Sequence, residues 1–188
     1  MKDKPLYLVV GKSGSGKTYI IEEKINKEFG TSQVYSRTTR LPRYLKENGH
    51  IFVDSQQADK EWNRALAKTV YNNDRYYTLL EDIENVEFYV IDPNGVRNFQ
   101  HNKVNRPIVK IYINSNWLIR FIHMLKRGDE IKNIIKRLRV DRKEFKGFED
   151  VADITFKNSN EMYRYFREKF RCEKMIERGR TKESEGDE

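Results

Sequence analysis

The sequence predicts an α/β fold around a central parallel sheet, and three observations carry that expectation. Short apolar runs at 6–10, 88–91 and 108–113 alternate with stretches of helical spacing, the pattern that builds parallel sheets. The first run passes directly into a glycine-rich loop that opens a helix, Gly11-Lys12-Ser13-Gly14-Ser15-Gly16-Lys17-Thr18. The 188 residues include 10 Phe, 11 Tyr and 2 Trp, enough core material for one domain without disulfide support.

Each element follows from its local pattern. Leu6, Tyr7, Leu8, Val9 and Val10 form a run of the buried-strand type. Over 17–29, Ile20, Ile21, Ile25 and Phe29 recur on one side of a helix, and Gly30 stands where a helix ends. Val34 and Tyr35 suggest a short second strand. The stretch 37–80 differs in kind: it is polar, broken by Pro42 and Gly49, with strand candidates at 50–53 and 75–80. It reads as a small insertion over the sheet edge. The strand at 88–91 closes at Asp92, and Pro93-Asn94-Gly95 reads as a turn. After the strand at 108–113, a helix over 117–126 places Leu118, Phe121, Ile122 and Leu125 at core spacing. A basic helix covers 129–145, a strand 152–156 and a last helix 160–170. From Glu177 onward the chain is charged and aperiodic, so 177–188 is expected to be disordered.

Lys+Arg total 37 against Asp+Glu 29, a net charge of +8 that points to anionic partners, whether nucleotides, nucleic acid or membrane. The single Cys172 rules out an internal disulfide and a Cys-rich zinc site, and His50, His101 and His123 lack metal-ligand spacing. No apolar run approaches the roughly 18 residues of a membrane span, and the opening Met1-Lys2-Asp3-Lys4-Pro5 does not read as a signal peptide. The expectation is a cytoplasmic protein with no membrane partner, as a monomer or homodimer.

The loop Gly11-x4-Gly16-Lys17-Thr18 has the full phosphate-binding pattern, with the strand before it and the helix after it that the chemistry requires. Small residues let the loop curl so that backbone N–H groups face anionic oxygens, at the positive end of a helix. Residues 11–18 are therefore assigned to the triphosphate of ATP. Lys17 reaches its β- and γ-phosphates, and the Thr18 hydroxyl is placed to ligate Mg2+. Motors need far more chain, and a GTPase needs Asn-Lys-x-Asp, where this chain has Asn102-Lys103-Val104-Asn105. Small kinases remain.

The run Ser36-Arg37-Thr38-Thr39-Arg40-Leu41-Pro42-Arg43 lies at the carboxyl edge of the expected sheet, and Arg40 and Arg43 suit bidentate binding of a second phosphoryl group. With Glu47-Asn48-Gly49 and Phe52-Val53 after it, this run resembles the guanylate kinase-like family, and the resemblance covers about 6–170. It implies a P-loop three-layer fold with an inserted monophosphate-binding subdomain and a helical lid. The core would comprise 1–36, 81–126 and 146–172, the insertion 37–80 and the lid 127–145. It further implies that Ser36 and Thr78 approach the acceptor base. Arg40, Arg43 and Tyr76 would bind the acceptor phosphate, Asp92 would lie near acceptor and metal, and Arg127 and Arg137 would close over the triphosphate. With Lys17 and Arg40, these two lid arginines form the catalytic set. Tyr76 also has a plainer reading as core, and Asp92 as a turn former.

The sequence departs from the family in four places. His50 falls where the family has a phosphate-binding tyrosine, and Ala67 where it has its guanine-reading glutamate. Tyr77 replaces a glycine, and His123 a lid arginine, with Arg120 one turn away. The function implied is ATP-dependent phosphorylation of a (deoxy)nucleoside monophosphate, GMP or dGMP favoured and the base left open. A non-catalytic interaction module and a polynucleotide kinase are the alternatives.

Overall fold

The computed structural model describes residues 4–42, 45, 47, 49–71 and 73–184. Strand β1 (Leu6–Gly11) lies at the centre of a wholly parallel sheet in the order β6-β1-β7-β8, with β6 (Phe88–Val90), β7 (Ile108–Ile113) and β8 (Ile154–Phe156). Every residue of β1 is buried, as an apolar run in the middle of a parallel sheet must be. Its side chains alternate between two cores. Leu6, Leu8 and Val10 join Tyr89, Tyr112, Phe145 and Phe148 on one face. Tyr7 and Val9 join Ile21, Ile25, Phe88 and Phe166 on the other. Burial of each such side chain contributes about 1.5–3 kcal/mol, and the two layers hold the loop after β1 in place.

The helical run over 17–29 is α-helical at α1 (Lys17–Tyr19) and α2 (Lys27–Phe29) and π-helical across Ile20–Asn26, and it stops at Gly30 in a left-handed conformation. The expected strand at Val34 and Tyr35 does not form. Only Gln33 bridges to Phe88, and the chain leaves the central sheet to enter a second one.

That second sheet is built from 37–78 in the order β3-β2-β5-β4. It comprises β2 (Arg37–Thr38), β3 (Ile51–Phe52), β4 (Ala67–Tyr71) and β5 (Asp74–Thr78). Helix α3 (Ser55–Glu61), capped by the Asp54 carboxylate on the Gln57 N–H, packs Ala58 against Ala65, Tyr77 and Leu79. Arg37 fastens β2 to this unit through ion pairs with Asp82 (2.8 Å) and Glu61 (3.2 Å).

Three further expectations are corrected. Pro93-Asn94-Gly95 is the first turn of α4 (Pro93–Arg97), because Asp92 is its N-cap and accepts the Gly95 N–H at 2.7 Å. In α5 (Trp117–Lys126), Leu118, Ile122 and Leu125 are exposed, and the buried residues are Arg120 and Met124. The helix turns its polar register inward because it packs on the glycine-rich loop rather than on the sheet. Finally, α7 (Ser159–Ser184) continues past Glu177, where disorder is expected, and 185–188 lie outside the described residues. The helical stretch from Glu177 contains good helix formers, follows on the i,i+4 pair Lys169–Glu173, and is tied to the amino-terminal region by Lys4–Glu177. No helix among the described residues is long and apolar enough to cross a membrane.

Candidate active site

The loop after β1 has the backbone that anion binding requires. Gly14 and Gly16 adopt left-handed conformations, φ 75° and 84°. A Cβ on Gly14 would lie 2.6 Å from the Arg120 carbonyl oxygen, and one on Gly16 2.7 Å from Ser159 Oγ, so neighbouring helices press directly on the loop. Gly11 packs as closely, its Cβ position 2.9 Å from Ser15 Oγ. The Ser15 hydroxyl is buried with no hydrogen-bond partner among the described residues. An orphaned donor at this point fits a loop whose partner is an anion.

Lys17 Nζ donates to the Lys12 carbonyl at 3.4 Å. Burial first, then Arg120 and Arg127, lower its pKa to about 8, with Asp141 opposing them. A phosphate would supply the counter-charge this ammonium lacks. Thr18, one residue on, is exposed at the first turn of α1. Lys12 is different: its ammonium turns to Asn114 Oδ1 at 3.3 Å and lies over the Tyr112 ring, facing a separate cavity of about 480 Å3. Its backbone belongs to the loop, but its side chain does not reach the main cleft.

That main cleft has a volume of about 750 Å3 and lies between the loop, the second sheet and α6 (Ile131–Glu144). Ser13, Asp92, Arg137 and Asp141 line the end nearest the loop, and Ser36, His50, Ala67, Tyr76 and Tyr89 the end under the second sheet. Of the residues singled out from sequence, it therefore brings together Ser13, Ser36, Tyr76, Asp92 and Arg137. Thr78 is buried just beneath, its Oγ1 donating to Tyr89 OH at 2.7 Å and lying 3.3 Å from Ser36 Oγ. Burial raises the Tyr89 pKa, so its phenol stays protonated. The far end is thus floored by hydroxyls, with Ala67 in the wall and no carboxylate among its lining residues.

The remaining arginines are engaged elsewhere. Arg40 makes a bidentate pair with Glu47, at 2.8 and 3.2 Å, and lies over the Phe52 ring. Arg43 lies outside the described residues. Arg127 is paired with Asp129, which also lies 3.9 Å from Arg137. The Arg127 hydrogen bond is the first cause holding the Asp129 carboxyl below its usual range.

Three residues of this site carried no motif. Tyr89 lies within an apolar strand, and Asp141 within a basic helix. Arg120 had one signal in the sequence: a charge four residues before Met124, in the one register of α5 that faces inward.

The sequence matches no protein-family model and no curated protein. In three dimensions the chain is similar to the guanylate kinase from Anaplasma phagocytophilum, with a TM-score of 0.58, at 18% sequence identity over 92% of this chain and 88% of that one. At that identity the likeness concerns architecture alone. The protein has a guanylate kinase-like α/β fold.

Proposed function

We propose that the protein is a nucleoside monophosphate kinase that transfers the γ-phosphoryl group of ATP to a (deoxy)nucleoside monophosphate. One observation carries the reading: a complete phosphate loop borders, through Ser13, a cleft of about 750 Å3 whose other wall is a separately folded sheet. The cleft has room for an acceptor nucleotide beside the triphosphate.

In this reading, the loop amides and Lys17 hold the β- and γ-phosphates. An oxygen of the acceptor phosphate attacks the γ-phosphorus. The new P–O bond forms as the bond to the β–γ bridging oxygen breaks, and ADP leaves with that electron pair. Arg137 already lines the cleft, and Arg127 reaches the transferring group by exchanging Asp129 for phosphate. Arg40 does the same for the acceptor by exchanging Glu47. Mg2+, when bound with the nucleotide, would neutralise phosphate charge. Thr18, exposed beside Lys17, and Asp92, which has committed one carboxylate oxygen to the Gly95 N–H, have the oxygen chemistry to hold it.

The acceptor is the less defined partner. Guanine presents a row of N–H donors that a carboxylate accepts well, and the far end of the cleft offers the hydroxyls of Ser36, Thr78 and Tyr89. The Ser36 and Tyr89 hydroxyls, which line the cleft, can donate to the guanine carbonyl, so GMP and dGMP remain the favoured acceptors. ATP consumption measured across ribo- and deoxynucleoside monophosphates, with an oligonucleotide control, tests the reading. Turnover that depends on a monophosphate supports it, and turnover only with the oligonucleotide refutes it.

A further inference from the structure

We infer that Asp141 and Arg120 form a clamp that sets the backbone of the phosphate loop at Ser13 and Gly14 and joins it to α6. This makes Asp141 and Arg120 positioning residues for the triphosphate. The inference rests on the phosphate-loop reading above.

Ser13 has three polar groups, and the pair takes all of them. Its N–H donates to Asp141 Oδ2 at 3.0 Å, its hydroxyl to Asp141 Oδ1 at 3.3 Å, and its carbonyl accepts Arg120 Nε at 2.8 Å. Arg120 Nη2 closes the ring onto Asp141 Oδ2. The next carbonyl, that of Gly14, accepts His123 Nδ1–H at 2.9 Å. A loop that binds an anion through its amides must turn its carbonyls away. Here two side chains of α5 hold consecutive carbonyls on the outside.

The clamp is also buried, Arg120 at 3% and Asp141 at 5% exposure. A buried ion pair contributes little net stability, because desolvation offsets the attraction, but removing one partner alone is costly. What such a pair adds here is geometry. Asp141 lies one helical turn after Arg137 in α6, so fixing Asp141 to the loop also fixes where Arg137 enters the cleft.

The decisive variant removes both charges at once. Arg120→Met/Asp141→Leu leaves no unpaired ion, so a cooperative melt is expected. Two readings are then taken: amide hydrogen exchange at Ser13 in the ligand-free protein, and affinity for a non-hydrolysable ATP analogue. The clamp predicts Ser13 exchange faster by at least about thirtyfold and analogue binding weaker by about tenfold, with monophosphate affinity within about twofold of wild type. A folded double variant with wild-type Ser13 protection and wild-type analogue affinity overturns the clamp.

A second comparison works even if the double variant does not fold. Asp141→Asn keeps an acceptor oxygen for the Ser13 N–H and Asp141→Ala does not, while both remove the charge opposite Arg120. The Asn variant is expected to bind the analogue about tenfold more tightly than the Ala variant. Equal affinities overturn the clamp. If the wild-type protein binds no analogue, the kinase reading fails, and Ser13 exchange still decides the clamp.

Discussion

The two ends of the cleft are built differently. At the phosphate loop, backbone and side chains are already in the arrangement an anion needs: Gly14 and Gly16 are left-handed, the Ser13 and Gly14 carbonyls are held outward, and among the described residues Ser15 Oγ has no hydrogen-bond partner and Lys17 no paired carboxylate. Toward the acceptor and in the lid, Arg40 and Arg127 are occupied. Arg40 is held by Glu47, and Arg127 by Asp129. On the proposed reading the donor half is preorganised, whereas the acceptor half and the lid exchange internal ion pairs for substrate phosphates. That difference teaches where binding energy is used, since an exchanged pair discriminates by what replaces it, while a preformed loop binds any triphosphate.

The largest effect is expected where the preformed half is broken. Lys17→Ala should lower transfer by at least about a thousandfold with the far-UV spectrum and melt unchanged, since a phosphate charge loses its main counter-ion. A rate assay beside circular dichroism checks it. Gly14→Ala should weaken ATP binding by about ten- to a hundredfold, because a Cβ meets the Arg120 carbonyl at a left-handed position. Calorimetry with an ATP analogue reads that directly. On the other side, Arg40→Ala should raise the KM for the monophosphate about tenfold and leave the KM for ATP within about twofold. Equal effects on both substrates would erase the distinction between the halves.

Smaller effects sharpen the comparison. Ala67→Glu places a carboxylate beside the hydroxyl floor and should raise the preference for guanine over other bases by about tenfold, seen as a ratio of kcat/KM values.

The pH dependence has a definite sign. With the folded Lys17 pKa at about 8, below the usual lysine value, the ammonium is complete only at lower pH. ATP affinity should be flat below about pH 7 and fall as pH rises through and beyond 8, the bound phosphate moving the break upward. Fold stability runs the other way: above pH 8 the unfolded state holds this proton and the folded state does not, so the contribution to stability rises until the unfolded lysine also titrates. Calorimetry and thermal melts across that range separate the two trends.

The donor half was legible in the sequence because its chemistry is local. Strand, glycines, lysine and threonine lie within thirteen consecutive positions, and one motif names them all. Asp92 was legible only as a turn former or a site residue; the structure shows it capping α4 and lining the cleft. The clamp was not legible, because Ser13, Arg120 and Asp141 are more than a hundred residues apart at the extremes and meet through packing alone. The face of α5 was misread for a related reason. Apolar spacing predicted that Leu118, Ile122 and Leu125 would be buried, and the close approach of Gly14 turned Arg120 and Met124 inward instead. The missing strand at Val34 and Tyr35 reflects the chain's departure into the second sheet, a topological choice that two apolar residues cannot announce.

The central claim is phosphoryl transfer between two nucleotides in one cleft. It is tested most directly by incubating the protein with ATP labelled at the γ-phosphate and each nucleoside monophosphate in turn, and locating the label. The account predicts label in a nucleoside diphosphate, formed one-for-one with ADP and lost in Lys17→Ala. Label released only as inorganic phosphate at a rate indifferent to any monophosphate, or retained in ATP under every condition, would contradict it.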